Sequence, residues 1–500
     1  MLGPYEIEYE GRKYFGNIAL REFHVFRHDG DCCLFDVERL TSRMISECEY
    51  RTIEKVLMSS ESLVSEKTVE TLRGHGLVAC EDNEAETSAP ESTKDAGDDD
   101  PQKDEAFEVG SIYLFIAQEC NMRCVYCYGE GGSYGEGGMM SDETAFKAVD
   151  WLLDNSKSAE QVKIFFFGGE PLLNFPLMKR VVAYSKEKAG ELGKKVTFGI
   201  TTNATLITDE VISFMSEEKM DPLISFDGPP EIQNRQRPFK DGGGSYDTAY
   251  ANILKMREAF PRLKARATIY GDADPFEIME GIGKAGFSKC ILSKASRVIL
   301  SGPNGQTVTD EMDEKTTGRM IAIMKEEGDS AVRAVKGRRV GENLGAETPE
   351  NLRLLQTSVT DIIKILISRR KRYFGCGAGK GIAAISVSGD VYPCHRFVGQ
   401  EDAIMGNIES YKPEGINDYY RAVVQNLPDC RACWARYLCG GGCFYENKAR
   451  TGDIRRADES FCRKIKAASE IAIHAYLQLD EADREFVHKT YSDRSDEKLP

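Results

Sequence analysis

At 500 residues, with 41% hydrophobic and 29% charged residues, the chain has the composition of a globular protein with room for two or three domains. Its formal charge of −16 gives no support to a nucleic-acid partner, because Glu81–Glu108 alone holds twelve acids against Lys94 and Lys103, a net of −10. No stretch approaches membrane-spanning length, and the opening MLGPYEIEYE lacks the basic and apolar regions of a secretory signal, so no membrane contact is expected and the expected compartment is the cytoplasm.

Strand-like alternation at Tyr5–Tyr9 and Lys13–Ile18, then CCLFDV at Cys32–Val37, precedes helical stretches at Leu40–Glu47, Thr52–Met58 and Ser65–His75. Residues 1–80 thus read as a small winged-helix-like module, or more plainly as a packing domain with no binding role. Residues 81–108 hold almost no large apolar side chains and read as an acidic, flexible linker. From Ser111 strands and helices alternate. Six strands are predicted, at Ser111–Gln118, Val162–Phe167, Val196–Thr201, Pro222–Phe226, Ala265–Tyr270 and Lys289–Ser293. The helices between them are Asp142–Asp154, Leu177–Leu192, Asp209–Lys219, Tyr246–Ala259 and Pro275–Ala285. This alternation predicts an α/β fold with a parallel sheet over residues 109–295, and motifs at the strand ends point to a barrel or partial barrel. Residues 296–372 form a charged, largely helical bridge. Residues 373–465 are rich in Cys and Gly, a composition held together by metal rather than by apolar burial. Residues 466–500 are a C-terminal helix and polar tail.

Ten of the fifteen cysteines fall in two groups, at 120–127 and 376–462. In a chain of this size such clustering points to metal or redox work rather than disulfides. Cys32, Cys33, Cys48, Cys80 and Cys290 are scattered and read as structural thiols. Cys120, Cys124 and Cys127 follow the end of the first barrel strand. Three thiolates on one loop can hold three corners of a [4Fe–4S] cube and leave one iron without a protein ligand. A zinc site is the alternative, but zinc normally closes with a fourth ligand and none is nearby.

The CxxxCxxC spacing, with Tyr126 before the last cysteine, resembles the radical S-adenosylmethionine (SAM) superfamily. Further elements follow in order at the strand ends. Gly168-Gly169-Glu170-Pro171 is similar to the family's GGEP element, Thr201-Thr202-Asn203-Ala204-Thr205 to TNGT, and Ser225-Phe226-Asp227-Gly228-Pro229 to S-x-D-G-P, with Arg237 in the loop beyond. The resemblance covers residues 111–295 and implies a partial (β/α)6 TIM-like barrel. It implies SAM on the open iron of the first cluster, with Tyr126, Gly168, Gly169, Glu170, Thr202, Asn203, Ser225, Asp227 and Arg237 around the cofactor. Reductive cleavage of SAM to a 5′-deoxyadenosyl radical, fed by an external donor of flavodoxin or ferredoxin type, is the chemistry implied. Ala204 departs from the family's glycine.

The later cysteines, Cys376, Cys394, Cys430, Cys433, Cys439, Cys443 and Cys462, resemble the seven-cysteine pattern of SPASM domains. That resemblance implies two auxiliary [4Fe–4S] clusters, three clusters in all, one on Cys430, Cys433, Cys439 and Cys462 and the other on Cys376, Cys394 and Cys443. A zinc ribbon is the alternative for Cys430–Cys443, but it leaves Cys376, Cys394 and Cys462 idle. Sulfatase-maturing relatives carry a further cysteine shortly after the first of these, where this chain has Gly377–Ala383 without one. The second set therefore has three protein ligands, with an open iron suited to a substrate thiolate unless Cys290 closes it. Those relatives also place a catalytic aspartate where this chain has His395. PCHRFVG at 393–399 resembles peptide-modifying SPASM enzymes that make thioether links, and His395 is read either as a proton acceptor or as a hydrogen-bond donor to a cluster sulfur.

The N-terminal module resembles a PqqD-like recognition element, which binds the leader of a ribosomally made precursor peptide by β-augmentation. The expected partner is such a peptide, and the expected activity is Cys-to-carbon thioether crosslinking, as in sactipeptide, ranthipeptide and quinohemoprotein amine dehydrogenase maturases. The rival expectations are a formylglycine-forming sulfatase maturase, carbon–carbon crosslinking or epimerisation on the same scaffold, and a non-catalytic electron carrier or binding protein.

Overall fold

The computed structural model describes residues 5–9, 12–16, 23–58, 66–75, 79–80, 108–295, 308–339, 358–410 and 417–492. The predicted acidic linker lies outside these residues, apart from Glu108, which accepts hydrogen bonds from Ser158.

The N-terminal elements are β1 (Tyr5–Tyr9), β2 (Arg12–Gly16), β3 (Phe23–His28), β4 (Asp31–Asp36), β5 (Thr41–Ile45), α1 (Glu47–Met58), α2 (Glu66–Gly74) and β6 (Ala79–Cys80). They make two three-stranded antiparallel sheets, β1-β2-β6 and β3-β4-β5. The expected helix at Leu40–Glu47 is a strand. Leu40, at φ +52, turns the chain back after β4, and Thr41–Ile45 then pairs residue for residue with Cys32–Asp36. The β-branched Thr41 and Ile45 suit that ladder. The helix begins later because Ser46 and Glu49 form a capping box: Ser46 Oγ accepts from the Glu49 amide at 3.3 Å, and the Ser46 amide donates to Glu49 Oε2 at 2.7 Å. Ser46→Ala should lower the unfolding free energy by about 1 kcal/mol, measurable in urea; an unchanged midpoint would mean that the cap contributes nothing.

The central elements are β7 (Ser111–Gln118), β8 (Gly138–Met139), α3 (Asp142–Asn155), β9 (Gln161–Gly168), α4 (Phe175–Glu191), β10 (Lys195–Thr202), α5 (Asp209–Glu217), β11 (Asp221–Ser225), α6 (Pro230–Gln236), α7 (Tyr246–Ala259), β12 (Lys264–Ile269), α8 (Pro275–Lys284) and β13 (Lys289–Lys294). Strands β7, β9, β10, β11, β12 and β13 are parallel neighbours in that order. This is the α/β, TIM-like architecture expected, each strand returning through helices. Alternation along the strands separates two faces. In β9, Val162, Ile164 and Phe166 are buried in the main core, whereas Lys163, Phe165 and Phe167 take the opposite face and are only half-buried. Tyr113 on β7 stacks on Phe165 at 4.8 Å, so the second face is the barrel interior.

Beyond the barrel come α9 (Asp310–Arg339), α10 (Ser358–Ser368), β14 (Ile382–Ile385), β15 (Asp390–Tyr392), β16 (Gly406–Asn407), α11 (Asn417–Tyr420), α12 (Arg436–Cys439), α13 (Phe444–Thr451), α14 (Glu459–Leu477) and α15 (Glu481–Ser492). Strand β14 pairs in parallel with β7, on the edge opposite β13, and so ties the Cys-rich region directly to the barrel sheet. The small β3-β4-β5 sheet also docks on this region. His24 stacks on Trp434 at 3.7 Å and bonds Glu470 at 2.9 Å, His474 bonds Asp31 at 3.0 Å, and Glu38 pairs with both Lys371 and Arg436. Among the described residues, no helix is long and apolar enough to cross a membrane.

Candidate active site

Cys120, Cys124 and Cys127 lie on the loop that leaves the C-terminal end of β7. Neighbouring backbone packs closely over that loop. A Cβ on Gly132 would come within 2.6 Å of the Cys120 Cβ, one on Gly169 within 2.2 Å of the Glu119 carbonyl oxygen, and one on Gly168 within 2.1 Å of the Ala117 carbonyl oxygen. Gly168 also sits at φ +131, a conformation that side chains disfavour. Glycine at these positions lets the second strand end press against the cysteine loop.

Glu170, 1% exposed, ties β9 to β10: Oε1 accepts from Thr202 Oγ1 at 2.8 Å and from the Leu172 amide at 3.1 Å, and Oε2 from the Asn203 amide at 2.8 Å. Burial pushes its carboxyl up to about 7, against those bonds. Asn203 Nδ2 donates to Asn121 Oδ1 at 2.9 Å and lies 4.0 Å from Cys120 Sγ, so the third strand end steadies the cysteine loop as well. Ala204, where the family pattern has glycine, takes φ +62, a region that favours glycine.

The fourth strand end contributes Ser225, half-buried, and Asp227, fully buried. Asp227 Oδ2 accepts from Tyr126 Oη and from Gln236 Nε2 at 2.8 Å and faces Arg237 Nε at 3.0 Å, while Oδ1 accepts from the Thr268 amide at 2.9 Å. Arg237 Nη1 reaches to 4.0 Å from Cys124 Sγ. Burial opposes the charge of Arg237, but Asp227, Tyr126 and Cys124 outweigh it and raise the guanidinium's pKa. Glu170, Thr202 and Asp227 thus use polar atoms to brace strand ends and the cysteine loop.

The thiols fall into three sets by their mutual influence. Burial raises Cys120, with Cys124 and Cys127 adding to it, and raises Cys124 to about 12 against Arg237, with Cys127 adding to it. Cys394 is pushed up to about 12 by burial and by Cys443 and Cys376. Burial also raises Cys376, with Cys443 adding to it. Cys430 and Cys462 go to about 12 through burial and through Cys439 and Cys433. Such sets of soft donors oppose their own ionisation until a cation joins them. Among the described residues, no three of these sulfurs lie within 4.8 Å of one another. Cys290 is fully buried on β13, and Asp227 is the anion acting on it rather than any of Cys376, Cys394 and Cys443.

His395 packs in the barrel interior against Tyr113 at 4.5 Å and Phe167 at 5.0 Å. Its Nδ1 is buried without a hydrogen-bond partner. Burial, then the charges of Arg266 and Arg396, push its pKa well below the usual range, which favours the neutral imidazole. Arg396 pairs with Glu446 at 2.5 Å and reaches to 3.8 Å from Cys443 Sγ. Sequence reasoning missed Tyr113, Gln236, Arg266 and Arg396. Only Arg396 had a signal, its place in PCHRFVG.

Residues 114–280 match the Radical SAM superfamily. The chain is 36% identical over 131 residues to an uncharacterized protein of Methanocaldococcus jannaschii, covering 26% of this chain and 43% of that protein. It is 28% identical over 359 residues to the serine-type anaerobic sulfatase-maturating enzyme of Bacteroides thetaiotaomicron, covering 68% of this chain and 83% of that enzyme. Its fold is similar to that of native anSMEcpe with bound AdoMet, with a TM-score of 0.57, 16% identity, and coverage of 75% of this chain and 99% of that one. The chain therefore carries a radical SAM domain and is a radical SAM enzyme related to the anaerobic sulfatase maturases, a membership that implies SAM and a [4Fe–4S] cluster as cofactors.

Proposed function

We propose that the chain is a peptide thioether synthase, joining a cysteine sulfur to a carbon of the same ribosomally made precursor peptide. One observation carries the reading. Burial raises the thiols of Cys376 and Cys394, with Cys443 adding to both, and the residue after Cys394 is a histidine whose buried Nδ1 has no hydrogen-bond partner. In this reading Cys120, Cys124 and Cys127 hold the SAM cluster, and the two later sets hold auxiliary clusters that serve as one-electron acceptors. Bound on the first cluster, SAM supplies the radical that removes one hydrogen atom from a peptide carbon. Around it Asn203 and Arg237 steady the cysteine loop, and the apolar faces of Tyr113 and Phe167 keep water from the reacting carbon. His395 Nδ1 takes the proton of the peptide thiol. Each crosslink replaces one C–H and one S–H bond by a C–S bond, with one hydrogen atom, one proton and one electron leaving the peptide.

Residues 1–80 hold the leader in this scheme, with the outer edge of β5, paired only to β4 among the described residues, available for a peptide strand. Residues 373–465 form the SPASM unit, and a ferredoxin or flavodoxin delivers electrons. A second reading, formylglycine formation, draws on the likeness to the Bacteroides enzyme across 83% of its length. Anaerobic reconstitution with SAM, reductant and a Cys-rich precursor peptide separates the two by mass spectrometry. The expected product has lost two hydrogens per modified cysteine, and that thiol no longer alkylates. An aldehyde at the cysteine would overturn the thioether reading in favour of the second.

A further inference from the structure

The turn between β3 and β4 reads His28-Asp29-Gly30-Asp31. Asp29 at φ +50 and Gly30 at φ +91 are its two central residues, the left-handed pair that a tight two-residue hairpin demands. The turn sets His28 directly across from Asp31 and leaves Asp29 at the tip. His474, on α14, packs against it, its ring 4.7 Å from that of His28. One ligand atom from each of His28, Asp29 and His474 lies within 4.8 Å of the other two. Among the described residues, no other three His, Cys, Asp or Glu side chains bring their ligand atoms so close.

The contacts made there do not satisfy the whole group. Asp31 Oδ2 is 3.0 Å from His474 Nε2, and Lys325 Nζ, on α9, donates to Asp29 Oδ1 at 2.6 Å. His28 Nε2 stands 3.7 Å from Asp29 Oδ2, too far for a hydrogen bond. Two imidazoles and two carboxylates are a donor set for a divalent ion of the zinc class, whose charge the carboxylates balance. Magnesium and calcium, by contrast, favour oxygen alone. The His474 side chain is 4% exposed and closes the inner side, whereas Asp29 and Asp31 are 42% and 55% exposed, which leaves a way in from solvent.

We propose that His28, Asp29, Asp31 and His474 bind one divalent zinc-class ion, which fastens the β3-β4-β5 sheet to α14. Zinc bonds of about 2.0–2.1 Å require the donors to close in, and the carboxylates on the exposed turn have room to do so. The ion takes His474 Nε2 from Asp31, which becomes a ligand itself. The proton on that nitrogen goes to solvent and Nδ1 takes one up. The Gln478 amide, whose nitrogen is 3.2 Å from Nδ1, turns its oxygen there instead. Because α14 also carries Cys462, the ion ties the N-terminal sheet to a helix that supplies the last cysteine set. The site does not depend on which bond the enzyme forms in its substrate.

The test uses the untagged, cluster-reconstituted enzyme, dialysed with zinc chloride and then against metal-free buffer. Elemental analysis should find about one zinc per chain beside the iron. Zinc-edge X-ray absorption should show nitrogen and oxygen neighbours at about 2.0 Å and no sulfur. Sulfur neighbours at about 2.3 Å would place the zinc on the cysteines and overturn the proposal, as would an enzyme that retains no zinc. His28→Gln removes an imidazole, and Asp29→Asn removes a carboxylate while keeping a residue that suits the left-handed turn. Each should weaken zinc binding by at least about 100-fold and abolish the zinc-dependent rise in Tm, with iron content unchanged. Zinc affinity equal to that of the unaltered enzyme in either variant would overturn the assignment. Should one variant misfold, the other and the absorption spectrum of the unaltered enzyme still decide.

Discussion

Replacing Cys120, Cys124 and Cys127 together by alanine should reduce SAM cleavage at least about 1,000-fold and remove about four iron atoms per chain, leaving about eight. The loss follows from the donor set. These three thiols are the only cysteines on the loop after β7, and the backbone pressed over them leaves little room for another side chain to step in. The fold should survive, because the barrel is held by a separate apolar layer in which Ile112, Leu114, Ile116, Ile164 and Phe166 are all fully buried. Circular dichroism should therefore match that of the unaltered protein. The retained iron is the informative number. Cys430, Cys433, Cys439 and Cys462 act on one another, as do Cys376, Cys394 and Cys443, and neither set depends on the first loop. A triple variant that holds no iron at all would refute auxiliary clusters on those seven cysteines, whatever became of the activity.

The barrel was largely legible because its strands are written in alternation. All six predicted strands end within one residue of the observed bounds, and helix Asp142–Asn155 starts after Ser141, the cap expected for it. The N-terminal module was less so. CCLFDV reads as a strand on its own composition, but TSRMI is too short and too mixed to declare itself, and it became β5 through its pairing with β4. The Ser46–Glu49 capping box was the local signal that would have moved the helix start to Glu47.

The expected role of the cysteine groups rests on their spacing, since soft ligands in tight groups have few other uses. The interior of the barrel was not. In KARATI a single arginine among small residues looks like a surface position, and only the pairing of β12 between β11 and β13 in the parallel sheet decides which side that face takes. The roles of Glu170 and Asp227 stayed hidden for a related reason. Their partners come from other strands and from α6, a helix that the sequence reading did not predict and that carries Gln233 and Gln236. A motif tells which residues are present; what each carboxylate faces depends on which chain segments the fold brings beside it.

Asp227 gives the second large effect. Its Oδ2 serves Tyr126, Gln236 and Arg237 together, and its Oδ1 serves the Thr268 amide. Asp227→Ala would leave the Arg237 charge buried without its partner and orphan three donors, at a cost of about 3–5 kcal/mol. The usual conservative change should not help. In Asp227→Asn one carboxylate oxygen becomes an NH2 group: in the place of Oδ1 it meets the Thr268 amide, which can only donate, and in the place of Oδ2 it meets the Arg237 cation and Gln236 Nε2, with the Tyr126 hydroxyl alone able to accept. Asn should therefore be nearly as destabilising as Ala, whereas at an exposed ion pair it would cost about 1 kcal/mol or less. Function should follow stability, because Arg237 links Asp227 to Cys124 and Tyr126 sits within the cysteine loop. Both variants should lose iron from the first site, seen as a weaker electron-paramagnetic-resonance signal that no longer shifts on adding SAM. Denaturant unfolding of the two variants side by side decides the matter. An Asn variant within 1 kcal/mol of the unaltered protein would mean that Asp227 is not both the acceptor for these three donors and the counter-charge of Arg237, and the brace between the fourth strand and the cysteine loop would have to lie elsewhere.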